Sequence, residues 1–442
     1  VTSLDVLLRA ERAVIGGQVR PASIGIADGV VTVVDPPPGA HRITRQVVLP
    51  PGSVLLPGLV DTHVHVNEPG TDWEGFASAT AAAAAGGITT IVDMPLDSDP
   101  VTTTVAALND KRAAARGQCR VDVGFWGGVV PGNLPAMAEL MTAGCLGFKC
   151  FLADSGNPAF PPLSAEQFGR AMQRCADLGA VMLIHAESAD ALSECAVVEG
   201  KSYASFLDSR PELAEVQAVQ LVIETVRRTG ARAHIVHVSS AAVLPLIAGA
   251  KREGLPVSAE TCPHYLTFTA EDIPDGGTEF AACPPIRGGD NRQRLWAALS
   301  DGVLDMIVSD HSPCAPHLKA GGDFGAAFGG ISSLQLGLRA VWTRAVLYGA
   351  GLADVCRWMA ERPAALAGLT DRGRIAVGGR ADFVVFDPLA QDRVDAARLR
   401  HRHPVTPYDG RELRGAVLQT WLSGQPVGDD SRGRLVRNLV AA

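Results

Sequence analysis

The chain has 442 residues, 47% of them apolar and 19% charged, with a formal net charge of −8 and a pI of about 5.8. That length suits one large domain with a smaller companion, and the balance is globular rather than disordered. There is no Lys/Arg run to hold nucleic acid, and no apolar stretch is long and unbroken enough to span a membrane. The nine cysteines are scattered without a CxxC pair. With no cationic-then-apolar opening segment, they predict reduced thiols in a cytoplasmic protein.

In chain order, the first segment reads as short strands: Val6-Leu7-Leu8, Ala13-Val14-Ile15, Ile24-Gly25-Ile26 with an Asp28-Gly29 turn, Val31–Val34 and Val47–Leu49. Pro36-Pro37-Pro38 interrupts the series, because consecutive prolines cannot donate to a sheet ladder. From Leu59 the rhythm changes. Eight apolar runs alternate with helix-like segments: Leu59–Val66, Ile88–Asp93, Val121–Val129, Gly147–Leu152, Val181–His185, Ala233–Val238, Val257–Cys262 and Met306–Asp310. Helices are expected over Phe76–Ala85, Leu163–Leu178, Leu213–Thr229, Ala241–Glu253 and Arg292–Leu299. This alternation predicts an α/β fold, a TIM-type (β/α)8 barrel. A doubly wound open sheet is the competitor, weakened by the lack of a GxGxxG at the first unit. After Ala367 the β rhythm returns in Ala381–Asp387 and in Val417–Leu422 with Gly424-Gln425. The two β-rich ends, 1–56 and 369–442, are expected to form a small β-sandwich beside a barrel spanning 57–368.

Active sites of such barrels lie at the C-terminal ends of the strands, and polar residues gather there. Strand one ends in Asp61-Thr62-His63-Val64-His65. Residues two apart on a strand share a face, roughly 7 Å apart, so the two imidazoles can converge on one ion. Two half-exposed strand histidines are the plainer reading. Strand four carries Lys149 within Gly147-Phe148-Lys149-Cys150-Phe151. It is either an ion-pairing or snorkelling lysine, or one whose burial supplies neutral amine able to take up CO2 as a carbamate. His185 ends strand five, His237 ends strand six and Asp310 ends strand eight. Each has a bland structural explanation. Metal-capable residues on strands one, four, five, six and eight together point to a metal site.

Those residues resemble the amidohydrolase superfamily, in its cyclic-amidase branch, over nearly the whole chain. Within the branch the resemblance is to allantoinases. It is carried by His65-Val66-Asn67-Glu68-Pro69-Gly70, Trp73-Glu74-Gly75-Phe76, Asp93-Met94-Pro95-Leu96, Gly147 to Leu152 and Ser309-Asp310-His311-Ser312-Pro313-Cys314. Gly378-Gly379-Arg380-Ala381-Asp382 and Thr406-Pro407-Tyr408 extend it to the C-terminal region. The resemblance implies two divalent metal ions per subunit. His63, His65 and Asp310 would hold one, His185 and His237 the other, and Lys149, carboxylated by CO2, would bridge them. Zn is the default, and Fe, Co or Mn suit the same N/O ligands. It further implies hydrolysis of a ring amide by a hydroxide shared between the metals, with catalytic Asp310 moving the proton. The expected reaction is allantoin to allantoate, in purine catabolism. The expected partners are a small cyclic ureide and other copies of the chain, as a homotetramer.

Substrate contacts are expected at Asn67, Ser155, Cys283, Pro284, Gly329 and Gly330. Similar dihydroorotases place an arginine two residues past the HxH motif, where it pairs with a substrate carboxylate. Asn67 stands there instead and suits an uncharged ring, unless it only orders its loop. Hydantoinases and dihydropyrimidinases carry a tyrosine a few residues after the modified lysine. The run here is Leu152-Ala153-Asp154-Ser155-Gly156, which leaves Ser155 as a substrate contact or a turn residue. Cys283-Pro284 and Gly329-Gly330 would anchor the ring through backbone groups, although the glycine pair also reads as a plain turn. His264, just past strand seven, reads as packing. Asp97 departs from the Asn usual in similar allantoinases and bears on substrate preference. Competing readings are a hydantoinase or dihydropyrimidinase, a metal-free scaffold relative, and a barrel using Lys149 as a Schiff base.

Overall fold

The computed structural model describes residues 3–437. Its first layer is one hydrogen-bonded sheet of eight strands: β1 (Ser3–Ile15), β2 (Gln18–Ala27), β3 (Val30–Val34), β4 (Arg42–Val48) and β5 (Val54–Pro57) from the front of the chain, with the remaining three from the back. The expected pair of short strands at Val6–Leu8 and Ala13–Ile15 is a single strand. A register shift between Ala10 and Ala13 bends it, so that its first half pairs with β4 and Ala13 meets β5. Asp28 and Gly29 both take positive φ, 52° and 75°, as the tight β2–β3 turn requires.

The second layer is the barrel. β6 (Leu59–Val64), β7 (Ile88–Asp93) and β8 (Asp122–Phe125) form one parallel run. β9 (Gly127–Gly128), β10 (Phe148–Phe151), β11 (Val181–His185), β12 (Arg232–Ile235), β13 (Val257–Thr261) and β14 (Met306–Ile307) form the other. β8 and β9 are two parts of the expected third strand, broken at Trp126, whose indole Nε1 donates to Thr62 O at 2.8 Å. The first and eighth strands meet at a parallel bridge between Val64 and His311, reinforced by His65 N donating to His311 O at 2.8 Å. Val60, Val92, Trp126, Leu183, Val236 and Met306 pack together in one apolar cluster. β6, β7, β10 and β11 are buried along their whole length, as strands covered by helices on one face and barrel interior on the other must be.

Helices fall where the periodicity placed them. Phe76–Ala85 matches in full. Ala165–Leu178 starts at a Ser164/Gln167 capping box and stops at Gly179, φ 63°. Glu212–Thr229 stops at Gly230, φ 68°. The segment expected as one helix from Ala241 opens with a 3-10 turn, Ala241–Val243, before Leu244–Arg252. The expected eighth strand is regular only over Met306–Ile307, because the chain turns at Asp310, φ 45°.

β15 (Phe383–Arg393), β16 (Glu412–Leu422) and β17 (Gln425–Pro426) then join the first layer. β15 pairs antiparallel with β5, Phe383 opposite Pro57 and Phe386 opposite Val54. The two chain ends thus do pair. They do so as one bent sheet around Val6, Leu8, Ile24, Leu55, Phe383 and Trp421, and β5 runs directly into β6.

The end of β7 braces the chain just past the HxH segment. Asp93 Oδ1 accepts from Val66 N at 2.9 Å, and its Oδ2 lies 2.6 Å from Lys111 Nζ. Lys111 also donates to Met94 O at 2.9 Å, and both side chains are buried. Removing the cation strands a buried carboxylate. Lys111→Met is therefore expected to destabilise the fold by about 3–5 kcal/mol, seen as a lower urea midpoint. An unchanged midpoint would show that the pair does not brace this loop.

Candidate active site

The C-terminal ends of the barrel strands open on a cavity of about 1200 Å³. Among its lining residues are His63, His65, Lys149, His185, His237 and Asp310, each brought by a different strand end except the first two. His63 Nε2 lies 3.1 Å and His65 Nε2 3.6 Å from Asp310 Oδ1. One ligand atom from each of these three residues falls within 4.8 Å of the others, a spacing one cation can share. Ring centroids are 5.5 Å apart for His63 and His237 and 4.5 Å for His185 and His237. His237 and Asp310 hold φ of 38° and 45°, a backbone region costly for residues with a Cβ and concentrated at functional sites.

The electrostatics follow from burial. Asp310 is desolvated, but His63, with hydrogen bonds from His63 and His65, holds its carboxyl well below the usual range. Burial also works against charge on His63, yet Asp310 and Glu260 outweigh it and raise the imidazole to about 9. Burial pushes His237 well below its ordinary value, with His185 and Lys149 adding to the effect. Lys149 is 1% exposed, makes no ion pair among the described residues, and is pulled down to about 8 by desolvation. Its ammonium sits 4.8 Å from the Phe151 ring centroid. This is the environment in which a lysine supplies neutral amine. His65 Nδ1 and His237 Nδ1 are buried without a hydrogen-bond partner. A convergent set of nitrogen and oxygen donors with unsatisfied polar atoms fits divalent cations better than it fits a packed core.

The outer faces of these ligands reveal groups the sequence reading missed. His63 Nδ1 lies 2.5 Å from Glu260 Oε1, and Glu260 Oε2 lies 2.8 Å from His234 Nε2. His185 Nε2 lies 2.7 Å from Glu187 Oε2, which Arg210 grips through Nε at 3.0 Å and Nη2 at 2.5 Å. Burial opposes charge on both glutamates, but their cationic partners hold each well below the ordinary value. A carboxylate behind a ligating imidazole fixes its tautomer and raises its basicity. The signal was an acid near the C-terminal end of an expected barrel strand, Glu260 in β13, and an acid two residues past His185.

The expected substrate contacts divide. Ser155, Cys283 and Gly329 line the cavity. Ser155 Oγ donates to Phe160 O at 2.7 Å, closing its own loop. Pro284 and Gly330 lie behind the lining, Pro284 O accepting from Tyr265 at 2.6 Å. At Gly330 an added Cβ would come 2.4 Å from Ser312 O, so the close approach of two loops demands glycine. Asn67 is buried outside the lining, with φ 61° and its amide donating to Pro313 O at 3.2 Å, so it orders its loop. His264 is buried with neither ring nitrogen partnered, close to Cys262 and Asp310, and burial lowers it to about 4.

Residues 54–427 match the Amidohydrolase family. The chain is 47% identical to the allantoinase of Streptomyces avermitilis over 99% of both proteins, and 43% identical to that of Saccharomyces cerevisiae over 96% of both. Its fold is similar to the L-hydantoinase (dihydropyrimidinase) of Arthrobacter aurescens, with TM-score 0.91 and 30% identity over 98% of each chain.

Glu260 generates a prediction. Glu260→Gln keeps the shape but withdraws the charge shared by His63 and His234. Affinity for divalent metal and turnover should each fall about 10–100-fold, measured by chelator competition and initial rates. Parent-like metal affinity would show that the carboxylate does not support His63.

Proposed function

Because this chain belongs to the amidohydrolase family, we propose that it hydrolyses the hydantoin ring of allantoin to give allantoate. The observation that carries the chemistry is the convergence on one cavity of four buried histidines, an aspartate and a buried lysine that makes no ion pair among the described residues. The substrate is supported by the relatives at 47% and 43% identity, both allantoinases.

In this reading His63, His65 and Asp310 would hold one divalent cation and His185 and His237 a second, with Lys149 between them. Zn suits these ligands, as do Fe, Co and Mn. When bound, such a pair supplies an acidified water and a Lewis acid for the carbonyl oxygen. Lys149 meets the first requirement of a bridge. As neutral amine its Nζ bonds to the carbon of CO2 and loses a proton, leaving a carbamate with two oxygens. Asp310, held as a carboxylate, accepts the proton of the attacking water at Oδ. It returns that proton to the ring nitrogen as the C–N bond breaks, so the nitrogen leaves as a ureido NH2. Every one of the ligand side chains is largely buried, which strengthens the electrostatic interactions among them.

The same reading takes 57–368 as the catalytic unit and 1–56 with 369–442 as its composite β companion. The terminal sheet has an apolar cluster of its own around Val6, Ile24, Leu55, Phe383 and Trp421, which supports that division, while Val54, Leu56, Val384 and Phe386 tie the sheet into the main barrel core. A cytoplasmic location is supported by nine free cysteines. From the resemblance we propose a homotetramer; sedimentation velocity showing a monomer would overturn it. No helix among the described residues is long and apolar enough to cross a membrane.

The likeness to the Arthrobacter enzyme gives a second reading, a hydantoinase or dihydropyrimidinase. Initial rates on allantoin, hydantoin, dihydrouracil and dihydroorotate separate the two. Allantoin is expected to give the highest kcat/KM, and preference for another ring would overturn the assignment. Lys149→Ala should lose bridging-metal occupancy and most turnover. Retention of both metals at near-parent rate would remove Lys149 from the mechanism.

A further inference from the structure

Two of the imidazoles in the cavity have a carboxylate behind them: His63 has Glu260 at 2.5 Å, and His185 has Glu187 at 2.7 Å. His65 breaks the pattern. Its Nδ1 is buried and makes no hydrogen bond among the described residues. The acid that faces it is Asp97, whose Oδ2 lies 3.8 Å from that nitrogen. Asp97 sits on the loop that follows β7, in the left-handed backbone region at φ 62°, and its side chain lines the cavity. Its other oxygen accepts from Asn157 Nδ2 at 3.3 Å, which ties it to the loop after β10. One oxygen is therefore anchored and the other is aimed at the unpartnered nitrogen. A closure of roughly 0.6–1 Å brings the pair to hydrogen-bond distance.

We propose that Asp97 is a positioning residue for His65: its carboxylate accepts the Nδ1–H, leaving Nε2 unprotonated and facing Asp310 as a ligand. The acid thus completes for His65 what Glu260 does for His63 and Glu187 for His185. A carboxylate accepts this bond with charge assistance and raises the basicity of the far nitrogen. An amide at the same place offers a neutral oxygen and a weaker hold. The inference rests on the metal-binding reading above.

The test uses the purified metal-loaded protein, Asp97→Ala and Asp97→Asn, with metal loss to excess dipicolinate followed by elemental analysis and with kcat and KM measured alongside. Asp97→Ala is expected to lose metal about 10–100-fold faster than the parent, with KM little changed. Asp97→Asn keeps the volume and one acceptor oxygen, so it should fold as the parent does and fall between the two. Parent-like metal loss in both variants would overturn the proposal, and so would a raised KM with unchanged metal retention, which would place Asp97 on the substrate instead. A parent protein that takes up no divalent metal would overturn the metal reading and this proposal together. A metal-loaded parent with indifferent variants overturns this proposal alone.

Discussion

An imidazole has two nitrogens, and one buried at a strand end that offers the first to a cavity must satisfy the second without water. Much of the architecture around the cavity answers that demand. Glu260 stands behind His63 and Glu187 behind His185, but each glutamate is itself fully buried and needs partners in turn. Glu260 finds them in His234 Nε2 and, at 3.4 Å, in His237 N. His234 passes the requirement on, its Nδ1 lying 2.8 Å from Ser258 Oγ. Glu187 finds its partner in Arg210. The result is a polar column inside the barrel at strands six and seven, next to an interior that is otherwise apolar. Desolvation makes each member expensive to leave unpaired, so the column holds its geometry more tightly than any single contact would.

A second chain of bonds fixes the opposite wall. Asp61 accepts from His63 N at 3.1 Å and from Ser309 N at 3.0 Å, joining the first strand to the eighth. Ser309 Oγ accepts from His311 N at 3.0 Å, and His311 Nε2 lies 3.1 Å from Glu74. Glu74 takes a short hydrogen bond from Ser78 and one from Arg402 N at 3.1 Å. Arg402 belongs to the segment between β15 and β16. The terminal sheet is thus coupled to the mouth of the barrel through its connecting loop as well as through β5, and the backbone turn that aims Asp310 is held from both sides.

How much of this was legible depended on whether a residue's role is local. Strand identity was readable because burial on both faces leaves uninterrupted apolar runs; Ile88–Asp93 and Val181–His185 match residue for residue. The HxH pair was readable because strand periodicity alone places two imidazoles on one face. Joining His185, His237, Lys149 and Asp310 to it needed only the rule that strand ends share a rim. Glu260 and Asp97 could not be read that way. Each acts on a histidine in another strand, and a lone acid in a sequence does not say which ring it faces. Asn67 misled in the reverse sense. Its place beside the motif suggested the cavity, but a left-handed backbone turns it toward Pro313. That Val6–Leu8 and Ala13–Ile15 are one strand was not readable, because a β-bulge erases the alternation that would join them.

The same constraint bears on the charge of the substrate. The lining contains two Lys/Arg side chains, Lys149 and Arg210. Lys149 lies among the ligands. Arg210 reaches the cavity, but the Nε–Nη2 edge of its guanidinium is committed to Glu187. A ring bearing a carboxylate would need a bidentate partner to offset the loss of its hydration, and Arg210 could offer its Nε–Nη2 edge only by releasing Glu187. That would leave the buried Glu187 without its cation, a penalty that offsets what the new ion pair returns. The wall also presents Asp99 and Asp154, carboxylates that repel an anion and are acceptors for the N–H groups of a neutral ring. Preference for an uncharged ring therefore need not come from Asn67. It has a second source in the Arg210 edge already committed to Glu187, which stands behind His185.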